Sequence, residues 1–345
     1  ILAEPQRTNL VTYSEDFNDS SWNLDSSQLN LTRTPNAALS PSGNNDATKL
    51  IANNTTKTPS TAYIGDSTSA STPYTTSIFA KKGEYDYLVS GIGSYAGGYY
   101  AVFNLSDGTV STSPSASGTT ASIEDYGNGW YRCLVNTTNT GSLQMLFISP
   151  SVDGTITTLY NSTTSGVYIW GAQLEEGSYS TSYIPTSGST VTRNQDIFTR
   201  DGIGSLINST EGVLFAEIAA LSDDGTEKII SLSDNTVANR LEMKLRSSGS
   251  IEGRFDSASS DITLTTTGIS TTDTNKIALY WTSGKCALWI NGVKEQENLT
   301  FNTFPNNSLI TLDFLSVFGG GISNFYGKVK QLQVYDTSLT DNQLI

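Results

Sequence analysis

A two-residue alternation of apolar and polar side chains limits the fold of this sequence more than any other feature. In RLEMKLR (240–246) every second residue is apolar, and similar short segments recur along the chain. A period of two places alternate side chains on the same face of a β-strand. Turn-forming stretches such as SDGT (106–109), GNG (127–129) and VDGT (152–155) separate these segments. Many short strands divided by such turns predict an all-β protein built from antiparallel sandwiches.

The length of 345 residues exceeds what one core usually organises, so we expect two domains. A polar passage without clear periodicity, residues 187–205, separates two sets of strand-like segments. We therefore predict a first domain at 1–198, a hinge at 199–204 and a second domain at 205–345. The chain begins with Ile1 rather than methionine, which favours a fragment of a longer polypeptide or a processed one.

Charge and composition exclude several functional classes. The formal net charge is −14, and no cluster of Lys and Arg exists to neutralise phosphates, so we expect no nucleic-acid partner. No apolar run approaches the roughly 18 residues needed to cross a bilayer, so we expect no membrane insertion. The chain has no histidine, which excludes Ser-His-Asp catalysis and imidazole zinc sites. Carboxylate chemistry and oxygen-ligated Ca²⁺ remain open.

Several aromatic and thiol side chains fall within alternating segments and are predicted to be buried. Cys133 and Cys286 are expected to be free thiols rather than a disulfide pair. The same reasoning predicts core positions for Trp22, Trp130, Trp281 and Trp289.

Three motifs resemble a module that is common in bacteriophage tail, fibre and other virion-surface proteins. They are EPQRTNLVTYSEDFNDSSW (4–22), ASIEDYGNGWYRC (121–133) and YIWGAQLEEGSYSTSYIPTSGSTVTR (168–193). This module is similar to jelly-roll carbohydrate-binding modules, and the match covers about residues 4–198. The second half resembles concanavalin A-like/laminin G-like sandwiches through GVLFAEI (212–218), NKIALYWTSGKCALWINGV (275–293) and FYGKVKQLQVYDTSLTDNQL (325–344).

The resemblance implies a structural role for the acidic segment after residue 166. Residues 167–174 would form the last core strand of the first domain, with Trp170 packed inside. Residues 175–194 would form a polar strap that leaves the strand, pinned by Tyr179 and Tyr183. This interpretation is favoured over a catalytic role for Glu175 or Glu176.

Concanavalin A-like folds include glucanases, which resemble one another in an E-x-D-x-x-E strand that places its acids on one face. The second domain has no such triplet, because Glu217 is followed by Ile, Ala, Ala and Leu. The nearest E-x-D is Glu84–Asp86, in the first domain and without a third acid. We therefore expect a protein that is not an enzyme.

Both types of module often hold a structural Ca²⁺ between loops, so the resemblance implies candidate ligands. These are Asp16, Asn18 and Asp19 in the first domain and Asp223 and Asp224 in the second. Their spacing lacks the specificity of an EF-hand, and solvated surface acids are the alternative.

Sugars stack their C–H faces on aromatic rings while their hydroxyls hydrogen-bond to polar groups. The segment GIGSYAGGYYAVFNL (91–105) places Tyr95, Tyr99 and Tyr100 among glycines and predicts a sugar-binding surface. Core packing of Tyr99 or Tyr100 is the alternative. Because the net charge repels anions, we expect neutral or weakly charged glycans to be preferred.

Together these observations predict a non-enzymatic phage protein on the virion surface, or otherwise extracellular, that binds host or environmental glycans. Other virion proteins and further copies of the same chain are its expected partners. A purely structural role in virion assembly or decoration is the alternative, and a glycan-cleaving enzyme is the third candidate. A glycan array separates the first two, and the release of reducing sugars tests the third.

Overall fold

The computed structural model describes residues 1–24, 31–52, 62–64, 72–93, 97–138, 146–155, 162–247, 249–258, 260–316 and 323–344. Their regular secondary structure is almost entirely antiparallel β-sheet, which confirms the predicted all-β class and the two tandem sandwiches. The chain divides into two compact units. Gln6–Asn194 is called the first sandwich, and Ile1–Pro5 together with Gln195–Ile345 is called the second sandwich.

In the described part of the chain, the first sandwich has two six-stranded sheets and a small two-stranded one. Strands are numbered along the whole chain, and β1 (Leu2–Ala3) belongs to the second sandwich. The strands of the first are β2 (Arg7–Asn9), β3 (Asn23–Leu24), β4 (Leu31–Ala38), β5 (Ala47–Ala52), β6 (Ala62–Ile64), β7 (Tyr74–Lys82), β8 (Tyr87–Ile92), β9 (Tyr100–Asn104), β10 (Thr109–Thr112), β11 (Thr119–Asp125), β12 (Trp130–Thr137), β13 (Leu146–Ser151), β14 (Gly166–Glu176) and β15 (Val191–Arg193). Sheet I has the order β10-β9-β8-β13-β6-β3, sheet II has β11-β12-β7-β14-β5-β4, and β15 pairs with β2.

The main core of the first sandwich collects alternate apolar side chains from both large sheets, as the two-residue period requires. Ile78 of β7 and Ile169 of β14 are buried there, and Phe17 packs against Trp22 with ring centroids 4.8 Å apart. Both Trp22 and Trp130 are buried, as predicted.

Trp170 is buried, but it does not lie in this main core as the sequence analysis suggested. It belongs to a separate apolar cluster with Phe79, Trp130 and Ala47. Because Ile169 faces the main core and neighbouring residues alternate, Trp170 faces the opposite side of sheet II. Strand β14 is apolar on both faces, so alternation alone does not identify which face is the interior.

The segment that follows β14 crosses the outer face of sheet II and is held there by buried polar groups. The Glu175 carboxylate accepts hydrogen bonds from Thr181 N–H and from the Thr181 hydroxyl. Arg132 donates to the Thr181 carbonyl (2.8 Å), and the Tyr183 hydroxyl donates to Ser14 Oγ (2.7 Å). These contacts give the segment from Gly177 to Asn194 the arrangement of a strap.

The described residues of the second sandwich also form two six-stranded sheets. Its remaining strands are β16 (Thr199–Arg200), β17 (Gly212–Ala220), β18 (Lys228–Ser233), β19 (Arg240–Arg246), β20 (Ser250–Ser257), β21 (Ser260–Thr267), β22 (Asn275–Thr282), β23 (Lys285–Ile290), β24 (Val293–Asn298), β25 (Thr311–Asp313), β26 (Leu315–Ser316), β27 (Ser323–Asn324) and β28 (Gly327–Tyr335). Sheet III has the order β1-β28-β17-β22-β23-β24 and sheet IV has β16-β25-β18-β19-β20-β21, while β26 pairs with β27. A single helical turn, α1 (Asp341–Leu344), follows β28.

The core of the second sandwich confirms the alternation read from the sequence. Leu241, Met243 and Leu245 of β19 all point into it, together with Trp281. The hairpin between β23 and β24 turns at Asn291 and Gly292, whose φ angles of 52° and 81° suit a type I′ turn.

The residues predicted as a hinge, 199–204, contribute to the second sandwich. Strand β16 pairs with β25 inside sheet IV, and a 3₁₀ turn follows at Gly204–Leu206. Strand β1 pairs with β28 at the edge of sheet III, so the contacts divide the chain at Asn194/Gln195 and at Pro5/Gln6.

Both cysteines are buried free thiols, as predicted. Among the described residues no helix is long and apolar enough to cross a membrane.

Candidate functional site

The tyrosines predicted to bind sugar occupy three different situations. Tyr95 lies outside the described residues. Tyr99 is half-buried, and its ring lies directly against Gly97. Tyr100 packs edge-to-face on Phe147, with ring centroids 6.3 Å apart, in a small apolar cluster on sheet I. The structure therefore places Tyr100 in packing contact, and the sugar-binding role of this segment stays a prediction.

The calcium candidates of the first sandwich stabilise a turn. Asp16 Oδ1 accepts the N–H of Asn18 (3.0 Å), and Asp19 Oδ1 accepts the N–H of Ser21 (2.8 Å). The hydrogen bonds from Ser21 lower the pKa of Asp19. Within the described residues no three acidic or cysteine side chains group in a way that suits a metal ion.

The calcium candidates of the second sandwich differ from each other in their contacts. Asp223 is exposed, whereas Asp224 forms an ion pair with the buried Lys228 and accepts the N–H of Thr226 (3.0 Å). Burial of the Asp224 carboxyl opposes ionisation, but the bonds from Lys228 and Thr226 outweigh it and lower the pKa. Asp224 thus neutralises a buried lysine.

The acids considered for catalysis are also engaged. Glu84 pairs with Lys49 (2.8 Å), and Asp86 accepts a hydrogen bond from Ser106 and pairs with Lys82 (3.0 Å). The bond from Lys49 lowers the pKa of Glu84, and the bond from Ser106 lowers that of Asp86. A general acid needs a raised pKa at neutral pH, so this pair lacks that property.

A groove on the outer face of sheet III, which the sequence analysis did not identify, has the form of a ligand site. Phe215 of β17, Ala278 of β22 and Trp289 of β23 are directly opposite one another across three neighbouring strands. All three line the groove. Because the small Ala278 lies between two large aromatic side chains, the sheet surface has a depression there.

The next cross-strand row on the same face, two residues along β17, supplies polar groups. Glu217 lies directly opposite both Lys276 and Gln331. Its carboxylate pairs with Lys330 (3.2 Å), and Lys276 N–H is bonded to Asn291 Oδ1 (2.9 Å), which fixes the turn beside it. The groove thus has an aromatic part and a polar end rich in amide, ammonium and carboxylate groups.

The C-terminal residues form one wall of the groove. Leu339 and Leu344 pack against an apolar cluster that includes Trp289 on the outer face of sheet III. An ion pair between Lys294 and Asp341 (2.9 Å) fastens α1 to β24. Tyr335 and Gln343 also line the groove, whose volume is about 620 Å³. This volume falls within the range of small-molecule sites, about 300–1,000 Å³.

The sequence held a partial signal for this groove. In GVLFAEI, alternation places Phe215 and Glu217 on the same face of β17, opposite to the core residues Leu214 and Ala216. An aromatic and an acid together on an outer face are typical of a binding surface. Trp289 is buried as predicted, at 5% exposure, but in an apolar cluster on the outer face of sheet III. The pairing that brings its strand near Phe215 was not derivable from either segment alone.

Comparisons with known proteins add no family assignment. No family model and no curated protein matches the chain. Among solved structures, the chain is similar to the sialidase CBM40 of Ruminococcus gnavus bound to α2,3-sialyllactose, with 14% identity, 43% of this chain and 96% of that one covered, and a TM-score of 0.36. A pentraxin from Limulus polyphemus aligns with 17% identity over 39% and 68% of the two chains, with a TM-score of 0.33. Mouse laminin α1 domains LG4-5 align with 9% identity over 83% and 90%, with a TM-score of 0.28.

Proposed function

We propose that this protein is a non-enzymatic glycan-binding protein whose binding site is the groove on sheet III. The observation that carries the proposal is the combination of Phe215 and Trp289 flanking a depression with Glu217, Asn291 and Gln331 at its polar end. The half-buried Phe215 and the exposed Tyr335 supply the ring surface for the C–H side of a pyranose, while carboxylate and amide groups fix its hydroxyls. Trp289 is buried, with Lys294 Nζ 5.3 Å from its ring centroid, and contributes to the apolar wall.

The groove is open and shallow, which fits a weak individual contact. A single site of this kind commonly binds near millimolar, or about −4 kcal/mol. Several copies on one particle raise the overall avidity by about 10²–10⁴ when they bind together. The proposal therefore includes a homo-oligomer or an array of copies.

The finer part of the proposal is the location. We place the protein on the surface of a phage virion, in a fibre, a tail or a capsid decoration, in contact with other virion proteins and with host glycans. This part rests on the sequence motifs at 4–22, 121–133 and 168–193. A structural protein without a glycan ligand is the alternative.

A glycan array probed with the full chain tests the proposal, with variants of the groove as the decisive comparison. Tyr335 is 37% exposed and lines the groove, so Tyr335→Ala should reduce retention at least tenfold with little change in thermal midpoint. Phe215→Ala should reduce retention further. Tyr126→Ala is the matched control, because Tyr126 is 49% exposed and does not line the groove.

Two results would contradict the proposal. Retention that survives both Tyr335→Ala and Phe215→Ala would exclude this groove as the site. An array without any bound glycan, together with a folded protein, would favour the structural alternative.

A further inference from the structure

The outer face of sheet IV carries opposite charges in direct cross-strand register. On β19 and β20, Arg240 faces Asp256, Glu242 faces Arg254, and Lys244 faces Glu252. Opposite charges placed in this way stabilise a sheet, so the register is favourable by itself. The side chains are tightly packed, and Glu242 is only 1% exposed.

At one end of this face the charges open into a second groove of about 570 Å³. Arg240 of β19, Arg254 and Asp256 of β20, and Asp261 of β21 line it, and the exposed Val237 forms an apolar edge. It lies on sheet IV, whereas the groove of the proposed function lies on sheet III, so the two share no lining residue.

Asp256 has an unused acceptor in this groove. Its Oδ2 accepts hydrogen bonds from Arg240 Nε (2.7 Å) and Arg254 Nε (2.8 Å). Its Oδ1 is buried and receives no hydrogen bond from any residue that the structure describes. The residue is 5% exposed, and a buried carboxylate oxygen without a donor costs free energy.

The two described serine hydroxyls that line this groove are engaged with Asn302 rather than with this oxygen. Ser257 Oγ donates to the Asn302 carbonyl (2.7 Å), and Ser260 Oγ accepts the Asn302 N–H (3.1 Å). Asp261 lies directly opposite Asp256 and adds a second carboxylate, which itself accepts from Arg254 (3.3 Å). Burial raises the pKa of Asp256 against the effect of Arg240, and Asp261 raises it further.

The charges around the groove decide which donor fits. Two guanidinium groups and two carboxylates line it, so its formal charge is zero. A divalent cation is disfavoured, because both arginines already contact the Asp256 carboxylate. An anion is disfavoured by the two carboxylates. A neutral ligand with adjacent hydroxyls suits both the carboxylates and the guanidinium groups, since a hydroxyl can donate to a carboxylate and accept from a guanidinium.

We propose that this groove is a second saccharide site, which binds a vicinal diol of a neutral sugar between Asp256 Oδ1, Asp261 and Arg254. One hydroxyl donates to Asp256 Oδ1, and its neighbour donates to Asp261. Arg254 donates to the oxygen lone pairs of the diol. Val237 contacts the C–H face of the ring. The site is independent of the groove on sheet III and does not require it to bind.

Side-chain NMR of the full chain tests this directly through the Nε–H signals of Arg240 and Arg254. The probes are methyl α-mannopyranoside and methyl β-galactopyranoside, titrated to tens of millimolar. At least one should shift both arginine signals in a saturable manner, while cyclohexanol, which has a single hydroxyl, should not. Asp261→Asn should weaken the sugar at least fivefold with an unchanged thermal midpoint, because the Asp261 side chain is 67% exposed.

The controls separate this site from its alternatives. Asp273→Asn changes an exposed acid of the same sandwich that does not line the groove, and should leave the titration unchanged. Tyr335→Ala should also leave it unchanged, so a failure of the sheet III proposal stays distinguishable from a failure here. The proposal is overturned if neither sugar shifts the arginine signals. Equal shifts from cyclohexanol, or the same shifts from CaCl₂ without sugar, would also overturn it.

Discussion

Replacing Asn9 is the most informative perturbation of the first sandwich, because one buried side chain joins three separate segments. Its Nδ2 donates to the carbonyls of Ala172 (3.1 Å) and Ile184 (2.8 Å). Its Oδ1 accepts the N–H groups of Val11 (3.1 Å) and Leu174 (3.1 Å). The side chain is fully buried and uses all of its main hydrogen-bonding capacity.

The expected cost of Asn9→Ala follows from these four contacts. Each hydrogen bond contributes about 0.5–1.5 kcal/mol net, so the four together contribute about 2–6 kcal/mol. Four main-chain groups would also remain buried without partners, which moves the expectation to the upper half of that range. Because a domain is stable by only about 5–15 kcal/mol, the loss is a large share of the total.

Urea unfolding of the full chain, with hydrogen exchange to locate the effect, measures this loss. Asn9→Leu keeps the volume and removes the bonds, so it should be destabilised about as much as Asn9→Ala. Asn23→Ala is the control, because Asn23 is exposed and its side chain donates a long hydrogen bond to Ser21 O at 3.3 Å; it should cost under about 0.5 kcal/mol. A loss below about 1 kcal/mol in Asn9→Ala would refute the reasoning, as would equal loss of protection in the second sandwich.

Three further predictions follow from buried or paired groups. Cys133 and Cys286 should react slowly with a thiol reagent until denaturant is added, because burial raises the pKa of both thiols, that of Cys286 to about 12; rapid labelling of the native protein would contradict this. Burial raises the pKa of Glu15, so the folded state binds this proton more tightly than the unfolded state does. Ionising Glu15 therefore lowers the free energy of unfolding at a pH above the folded pKa, and this loss is absent at low pH, where the group is protonated in both states. Glu15→Gln should therefore raise the thermal midpoint more at pH 7 than at pH 4, and equal shifts would show that the charge is not responsible. Finally, no release of reducing sugar from β-glucans is expected, and an activity that disappears in Glu84→Gln would refute this.

Much of the fold was predictable because strand alternation is a local property. The pattern at 240–246 identified the inward face of β19. An Asn-Gly pair between two strands, as at Asn291–Gly292, is likewise a local signal for a hairpin turn, and the φ angles there agree with it. The side of sheet II on which Trp170 packs was not predictable, because β14 presents apolar side chains on both faces. The residues 199–204 looked like a hinge because two-residue strands such as β16 are too short to show a period.

The candidate sites were harder to predict, because both grooves depend on register between distant strands. Phe215 and Trp289 lie 74 positions apart in sequence. They flank the same depression because each lies opposite the small Ala278 of the intervening strand β22. Asp256 Oδ1 lacks a donor because the side chains of Arg240 and Arg254 both reach the other carboxylate oxygen, and the sequence does not specify this geometry. The resemblance suggested Asp16 and Asp19 as Ca²⁺ ligands; the structure shows both accepting main-chain N–H groups in a turn, and cation binding there stays a prediction.

The outer faces of the two sandwiches differ in what covers them. In the first sandwich the strap crosses the outer face of sheet II, where Thr181 N–H donates to the buried Glu175 carboxylate and the Thr181 carbonyl accepts from Arg132 Nη2. In the second sandwich the C-terminal segment covers only part of the outer face of sheet III, and the depression at Ala278 stays open beside it. On sheet IV the cross-strand ion pairs satisfy one another except at Asp256 Oδ1. A ligand gains most where the chain has left an aromatic face or a carboxylate oxygen unmatched beside a groove, and in the second sandwich each of these features lines a groove.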